Sequence, residues 1–196
     1  MSEILTINTE QGIIKEQQIE PLPLYDENHP MLKRSIPEYE LSRLPNPVMT
    51  NLVSRLKMTM KLYSGLGLSA NQCGVFERVF VIGNDDMVIP CINPKVIRIV
   101  GAVEKNKEGC LSFPGLFLNI ERPLSIDVEF YDVNGKLINT TFEGLTARCF
   151  LHELDHMNGI RMVEYVKPLA LKMARQKQQK LIKKVKRLQK DNGTFV

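Results

Sequence analysis

The residues best suited to chemistry in this chain form the run His152-Glu153-Leu154-Asp155-His156. Residues four apart lie on one face of a helix, so His152 and His156 can reach the same metal ion. Glu153 projects to one side of this pair, within reach of a water bound to the metal. Two imidazoles with a carboxylate base are typical of metal-activated hydrolases. The alternative is a surface helix that carries two of the chain's three histidines by chance.

A third metal ligand has to come from another part of the chain. The remaining histidine, His29, lies in a polar, turn-like stretch that favours a solvated loop. Downstream of the motif the acids are Glu164 and Asp191, and neither continues the pattern of the metzincin proteases. Upstream, the run Glu108-Gly109-Cys110-Leu111-Ser112 contains Cys110, and a cysteine thiolate is a good ligand of zinc or iron.

A third run, Gly65-Leu66-Gly67-Leu68-Ser69-Ala70-Asn71-Gln72, precedes these two. In this order the three runs resemble the three motifs of the peptide deformylases, over roughly residues 20 to 170. Ser69, Asn71 and Leu151 depart from the family pattern, but none replaces a metal ligand or a reacting group. The glycines do not indicate a dinucleotide site, because they follow a helix and lead into a strand-like run. They are expected to let a substrate backbone approach closely.

The resemblance implies the chemistry of the site. Cys110, His152 and His156 are expected to hold the metal and to leave a fourth position for water, whose pKa the metal lowers toward ~7. Glu153 is expected to take a proton from that water and to deliver it to the leaving amine. The implied metal is Fe(II), with Zn, Ni or Co able to occupy the site.

The resemblance also implies the substrate, an N-formyl-methionyl nascent peptide that is hydrolysed to formate and a free amino terminus during protein biosynthesis. The Gln72 amide and the Leu111 backbone N–H are expected to stabilise the oxyanion. From the sequence alone, Gln72 is equally a polar residue that closes a loop. The residues expected to bind the peptide backbone or the methionine side chain are Leu66, Gly67, Gly109, Leu145, Arg148 (through its aliphatic stem) and Cys149. The alternative for Leu145 and Cys149 is that they only pack the helix against the sheet. The resemblance also implies that Glu108 pairs with Arg122.

Composition predicts one compact domain. A chain of 196 residues is long enough for a real core, and no apolar run approaches the ~20 residues of a membrane span. The first residues lack the layout of a signal peptide, so a cytoplasmic enzyme with reduced cysteines is expected.

The pattern predicts an α+β fold, with mainly antiparallel sheets around a central helix that carries the HExxH motif, and a C-terminal helix. A helix is predicted from Pro47 to Ser64-Gly65, with an apolar stripe that ends at Tyr63. The strands are predicted at residues 78–82, 87–92, 125–131 and 137–142, with a break or bulge at Asn93-Pro94 and a weak strand signal at Ile13-Ile14. The motif helix is predicted between Gly144 and Asn158-Gly159. We divide the chain into an extension over residues 1–19, a catalytic domain over 20–167 and a basic helix over 168–196.

Charge is distributed unevenly along the chain. Residues 167 to 190 hold ten Lys and Arg and no acid, so the remaining chain carries 16 basic against 22 acidic residues. A basic helix gains salt-dependent affinity for RNA, and some deformylases use such a helix on the ribosome. The alternatives are a solvated helix docked on the core and, with less support from its thin apolar face, a membrane-surface helix.

Two rival functions remain open for the three motifs. One is an HExxH endopeptidase, and the other is a structural metal module in which a fourth protein ligand closes the site. Neither requires Gln72 or the run from Gly65 to Gln72, so these residues favour the deformylase interpretation.

Overall fold

The computed structural model describes residues 19–84 and 87–191, and the predicted strand at Ile13-Ile14 lies outside these ranges. Five strands form one antiparallel sheet in sequential order: β1 Gly67–Ser69, β2 Val79–Gly83, β3 Val88–Gly109, β4 Phe117–Tyr131 and β5 Leu137–Glu143. The α-helices are α1 Pro47–Leu62, α2 Gly144–Met157 and α3 Pro168–Asp191. Short 3-10 helices cover Pro30–Lys33, Leu41–Arg43, Ala70–Cys73 and Met162–Tyr165. The predicted α+β class is confirmed, with a single sheet.

Helix α1 begins where the sequence places a cap. The Asn46 side chain accepts a hydrogen bond from the Val48 N–H at 2.8 Å, and Pro47 occupies the first turn, where its missing donor costs nothing. The buried residues Met49, Val53, Leu56 and Met60 follow the predicted stripe and pack under β1 and β2. Tyr63, predicted as part of this stripe, is 48% exposed because the helix ends one residue before it.

Strand β3 is much longer than its predicted span of residues 87–92. It continues through Asn93-Pro94 with a register shift between Ile92 and Lys95, so this pair forms a bulge and does not end the strand. Asn93 adopts a left-handed φ of 50°. Its side chain both accepts from and donates to the Tyr39 backbone, at 2.7 and 2.8 Å, which holds the bulge in place.

Helix α2 crosses the sheet and carries the HExxH motif. Phe150 of α2 packs edge-on against Phe80 of β2, with ring centroids 5.2 Å apart, in a buried cluster that also includes Phe130 of β4. The helix ends at Met157, and Gly159, just beyond the cap residue Asn158, has a φ of 74° that suits glycine. Its inner face therefore presents the motif between β1 and the start of β4.

Helix α3 is docked along its first half and exposed along its second. Leu171 and Ala174 pack against a cluster that contains Phe113, and the Gln178 side chain donates to the Pro114 carbonyl at 2.8 Å. Residues 181–188 are all exposed. Within the described ranges, no helix has the length and apolar character needed to cross a membrane.

Candidate active site

The three predicted metal ligands converge. Their ligating atoms in Cys110, His152 and His156 all lie within 4.8 Å of one another, and Cys110 Sγ lies 3.3 Å from His156 Nε2. One ion with bonds of about 2.0–2.3 Å to sulfur and nitrogen can bridge atoms at this spacing. Burial holds the pKa of His156 well below its ordinary value, so its imidazole is neutral and offers a lone pair. The donor set thus fits a single transition metal ion.

The carboxylate of Glu108 orients one of these ligands. His152 Nδ1 lies 3.2 Å from Glu108 Oε2, and because a carboxylate only accepts, Nδ1 must carry the proton. The other ring nitrogen, Nε2, is the one available to a metal. Burial would lower the pKa of His152, but hydrogen bonds to Cys110 and Glu108 raise it well above its ordinary value, so a metal would displace the proton of Nε2. Burial alone would raise the pKa of Glu108, but the hydrogen bonds from His152 and Arg122 outweigh it and lower the pKa to about 2.

Glu108 is itself held by two buried arginines. Arg122 binds both carboxylate oxygens, at 2.8 and 3.0 Å, which confirms the expected pair. Arg148 donates to Glu108 at 2.6 Å and to two backbone carbonyls of β3 and β4. The Nη1 group of Arg122 donates to Asp155 of the motif at 2.8 Å. The network ties the β3–β4 hairpin to helix α2.

The Glu153 carboxylate is buried beside the metal ligands. Ser69 Oγ donates to Glu153 Oε2 at 2.6 Å, and Gly67 lies against the same side chain. A Cβ on Gly67 would lie 2.9 Å from Glu153 Cγ, closer than side chains tolerate. Burial raises the pKa of the Glu153 carboxyl above its usual value, although His152 and Ser69 oppose the shift. A carboxyl with a raised pKa is suited to exchange protons near neutral pH.

Gln72 is oriented by a hydrogen bond to Ser69, the residue that caps its 3-10 helix. Its Oε1 accepts from the Ser69 N–H at 2.9 Å, which leaves its Nε2 to donate to Ser112 Oγ at 3.1 Å and toward Cys110 Sγ at 3.4 Å. The amide oxygen therefore closes the loop, while the amide nitrogen faces the metal ligands. The loop-closing interpretation of Gln72 thus applies to its oxygen, and the oxyanion role of its nitrogen stays a prediction.

One cavity of about 530 Å³ brings the expected site residues together. Its lining includes eleven of the twelve: Leu66, Gly67, Gln72, Gly109, Cys110, Leu111, Leu145, Arg148, Cys149, His152 and Glu153. The twelfth, His156, is buried behind Cys110. Leu145 is 62% exposed at the cavity rim, so it is not a core packing residue.

Several residues that shape the site were not predicted from the sequence. Asn71, noted only as a departure from the family pattern, donates to the His156 carbonyl at 2.6 Å, and Ser69, another of the three departures, donates to the Glu153 carboxylate. The segment from Phe113 to Phe117 forms one wall of the cavity. No local pattern reveals these roles, because each depends on a contact between segments far apart in sequence.

Comparison with known proteins agrees with this geometry. The sequence model of the family Polypeptide deformylase matches residues 21–172. The peptide deformylase of Thermotoga petrophila is 36% identical over 135 residues, which cover 69% of this chain and 82% of that protein. The structure of a peptide deformylase from Synechococcus elongatus in complex with actinonin superposes with a TM-score of 0.76 at 30% identity, covering 91% of this chain and 95% of that one. A Met-Ala-Ser-bound peptide deformylase from Acinetobacter baumannii superposes with a TM-score of 0.71 at 27% identity, covering 74% and 98%.

The fold and the site together define a hydrolase of the HExxH type. The chain belongs to the polypeptide deformylase family. It is an enzyme with deformylase function.

Proposed function

We propose that the enzyme hydrolyses the formyl amide of N-formyl-methionyl nascent peptides and releases formate. The observation that carries the proposal is the meeting of the Cys110, His152 and His156 donors with the Glu153 carboxylate and the Gln72 amide in one cavity. An endopeptidase or a structural metal module needs no amide donor at this point. The Acinetobacter baumannii relative binds Met-Ala-Ser, a peptide that begins with methionine.

Cys110, His152 and His156 would hold one divalent ion. When bound, the ion would lower the pKa of a water and polarise the formyl carbonyl. Thiolate and imidazole ligands suit iron and zinc alike, and the family resemblance favours Fe(II), with Zn, Ni or Co as substitutes. A fourth position open to water distinguishes such a site from a structural one.

Glu153 would carry the proton through the reaction. It accepts a proton from the attacking water as hydroxide adds to the formyl carbon, and it returns that proton to the amine nitrogen as the C–N bond breaks. Ser69 holds the carboxylate at Oε2, which fixes the direction of the second oxygen. The Gln72 Nε2–H and the Leu111 backbone N–H would donate to the formyl oxygen as it gains negative charge.

The cavity walls would bind the rest of the peptide. The backbones of Leu66, Gly67 and Gly109 lie where β1 and the end of β3 flank the cavity, so an extended peptide could add between them as a strand. The methionine side chain would lie among Leu145, Cys149 and the aliphatic stem of Arg148. The Arg148 guanidinium is bound to Glu108 and to backbone carbonyls, so its stem is the part left for an apolar contact.

The decisive experiment is formate release from formyl-Met-Ala-Ser by the purified enzyme, with acetyl-Met-Ala-Ser and a longer blocked peptide as controls. One formate per new amino terminus is expected, without internal cleavage of the longer peptide. Glu153→Gln should abolish turnover at unchanged metal content, whereas Glu164→Gln, an exposed acid paired with Arg161, should not. Internal cleavage without formate release would support the endopeptidase instead.

For the basic tail we propose an RNA partner, the ribosome. Lys183, Lys184, Lys186 and Arg187 are exposed on the second half of α3, which is the end that does not pack on the body. We also propose that residues 20–167 form the catalytic domain, with the first half of α3 docked upon it through Leu171.

Truncation after Ile182 tests the tail and keeps the docked half of α3. The truncated enzyme should turn over formyl-Met-Ala-Ser within a few fold of the intact enzyme. Its co-sedimentation with ribosomes should be weaker, and ribosome binding by the intact enzyme should fall steeply with salt. Equal sedimentation of both proteins at low salt would refute an RNA role for these residues.

A further inference from the structure

A second groove opens beside the active-site cavity. It lies between the β3–β4 hairpin and the first half of α3 and has a volume of about 1280 Å³. We call it the lysine groove, because Lys105, Lys107, Lys167 and Lys177 line it.

The lysine groove borders the active-site cavity. Lys107, Gly115 and Phe117 line both spaces. Phe117 is 47% exposed at this junction, packs against Gly109, and carries the Lys107 ammonium 4.4 Å from its ring centroid. A peptide held in the cavity by its first residues can therefore pass over Phe117 into the groove.

The groove combines positive charge with apolar surface. Among the described residues its only lining carboxylate is Glu121, which lies 3.2 Å from Lys105 Nζ, so positive charge predominates in the lining. Met173 and Leu181 of α3, 54% and 44% exposed, supply apolar wall. A wall of this composition suits a polypeptide with acidic side chains, because lysine stems and apolar residues contact the chain while the ammonium groups meet carboxylates.

We propose that the lysine groove binds the residues of the formyl peptide that follow its first three, and that it favours Asp and Glu there. The proposal rests on the proposed function and extends its substrate class. The position beside the cavity favours a peptide over RNA, because a peptide held at the reaction site must leave the cavity across a neighbouring surface. The RNA-binding surface that we propose is a different one, the exposed basic end of α3.

The test compares formyl-Met-Ala-Ser with three extensions of it, which carry a run of Glu, of Ser or of Lys. At low salt, kcat/KM for the Glu extension should exceed that for the Ser extension by about tenfold, mainly through KM, and the Lys extension should be the poorest. The difference should shrink as salt rises. Equal kcat/KM for the three extensions would overturn the proposal.

Two charge-reversal variants separate a local subsite from the general field of the helix. Lys167→Glu/Lys177→Glu reverses groove residues, whereas Lys172→Glu/Lys180→Glu makes the same charge change on exposed residues of α3 outside the groove lining. The first variant should invert the preference between the Glu and Lys extensions and leave formyl-Met-Ala-Ser unchanged. The second should keep the native preference. Equal effects of both variants would show that only net charge matters.

Two further readouts complete the experiment. Loss of ribosome co-sedimentation in Lys167→Glu/Lys177→Glu, with native peptide preference, would make the groove an RNA surface and overturn the proposal. Fluorescence anisotropy of labelled, unformylated extensions measures groove binding without turnover. Failure of formyl-Met-Ala-Ser hydrolysis would therefore count against the proposed function. The anisotropy measurement would still show whether the lysine groove binds the Glu extension more tightly than the Lys extension.

Discussion

The side chain of Glu153 fills the space that a side chain on Gly67 would need. A Cβ on Gly67 would lie 2.9 Å from both Cγ and Cδ of Glu153. From the sequence, the glycines of the run from Gly65 to Gln72 are expected to admit a substrate backbone. The contact adds a second role for Gly67, which is to leave room for the buried carboxylate.

The first prediction follows from that contact. Gly67→Ala should push Glu153 away from Ser69 and lower kcat by about 100-fold, since a shift of about 1 Å at a reacting group has this effect. Metal content should stay unchanged. The stability cost of Gly67→Ala, measured by urea unfolding, should largely disappear in a Glu153→Ala background, because the overlapping atoms are then absent. Equal costs in both backgrounds would mean that the overlap is relieved elsewhere.

The second prediction concerns the third ligand. Cys110→Ala should lose bound metal and activity together, whereas Cys110→Asp should retain part of the metal through its carboxylate. Cys149→Ala, which removes another thiol from the same cavity, should keep a full equivalent of metal. Elemental analysis of the three proteins checks this. One tightly bound equivalent in Cys110→Ala would place the third ligand elsewhere.

The third prediction concerns metal removal. A chelator should abolish formate release from formyl-Met-Ala-Ser, and the chelated protein should regain activity on addition of Fe(II) or Ni(II) under anaerobic conditions. Circular dichroism should show the fold retained, because the Glu108–Arg122 network and the sheet do not depend on the ion for their contacts. Full turnover after verified metal removal would contradict metal-dependent chemistry.

The fourth prediction contrasts a buried ion pair with an exposed one. Arg122→Met leaves Glu108 and Asp155 without their shared partner, and should lower the free energy of unfolding by about 3–5 kcal/mol. Lys105→Met breaks the exposed pair with Glu121 and should cost at most about 1 kcal/mol. Urea unfolding of both variants provides the comparison. Similar small losses would show that the buried network contributes no more than a surface pair.

The fifth prediction concerns cysteine reactivity. Burial, assisted by the Glu153 charge, raises the pKa of Cys73 and Cys149 to about 12, and burial raises that of Cys91 well above its usual value. The thiolate is the reactive form, so iodoacetamide at pH 7.5 should leave these three unmodified in the folded enzyme. Mass spectrometry should find all four cysteines modified in urea. Rapid native labelling of Cys91 would show that the core opens readily.

Local patterns sufficed to predict the elements that hold the metal ligands. The spacing of four residues between His152 and His156 places both on one face of α2. The spacing of the apolar residues in α1 likewise indicates which side of that helix is buried. Strand β3 beyond Lys95 was not predicted, because its residues up to Lys107 are mostly exposed and follow no buried alternation. That stretch is a strand because it pairs with β4. The register shifts in this pairing depend on both strands, so the sequence of β3 alone does not reveal them.

The same reasoning explains which parts of the site escaped prediction. Cys110 and Glu153 are recognisable from their own motifs, whereas the support that Ser69 and Asn71 give to α2 exists only after the chain has folded. The docking of Gln178 on Pro114 likewise depends on where α3 lies. Residue type indicates chemistry, but partners across the sheet cannot be deduced without the topology.

Arg175 Nη1 donates a hydrogen bond to Glu27 Oε1 at 2.7 Å. This contact joins residues that are 148 positions apart along the chain. Ser69 and Glu153 are separated by 84 residues, so the reaction centre also depends on distant segments. Contacts of such long range slow folding, because the loops between them must close first. The reaction centre therefore forms only after distant segments have met, and during refolding the activity should return after most of the secondary structure has formed.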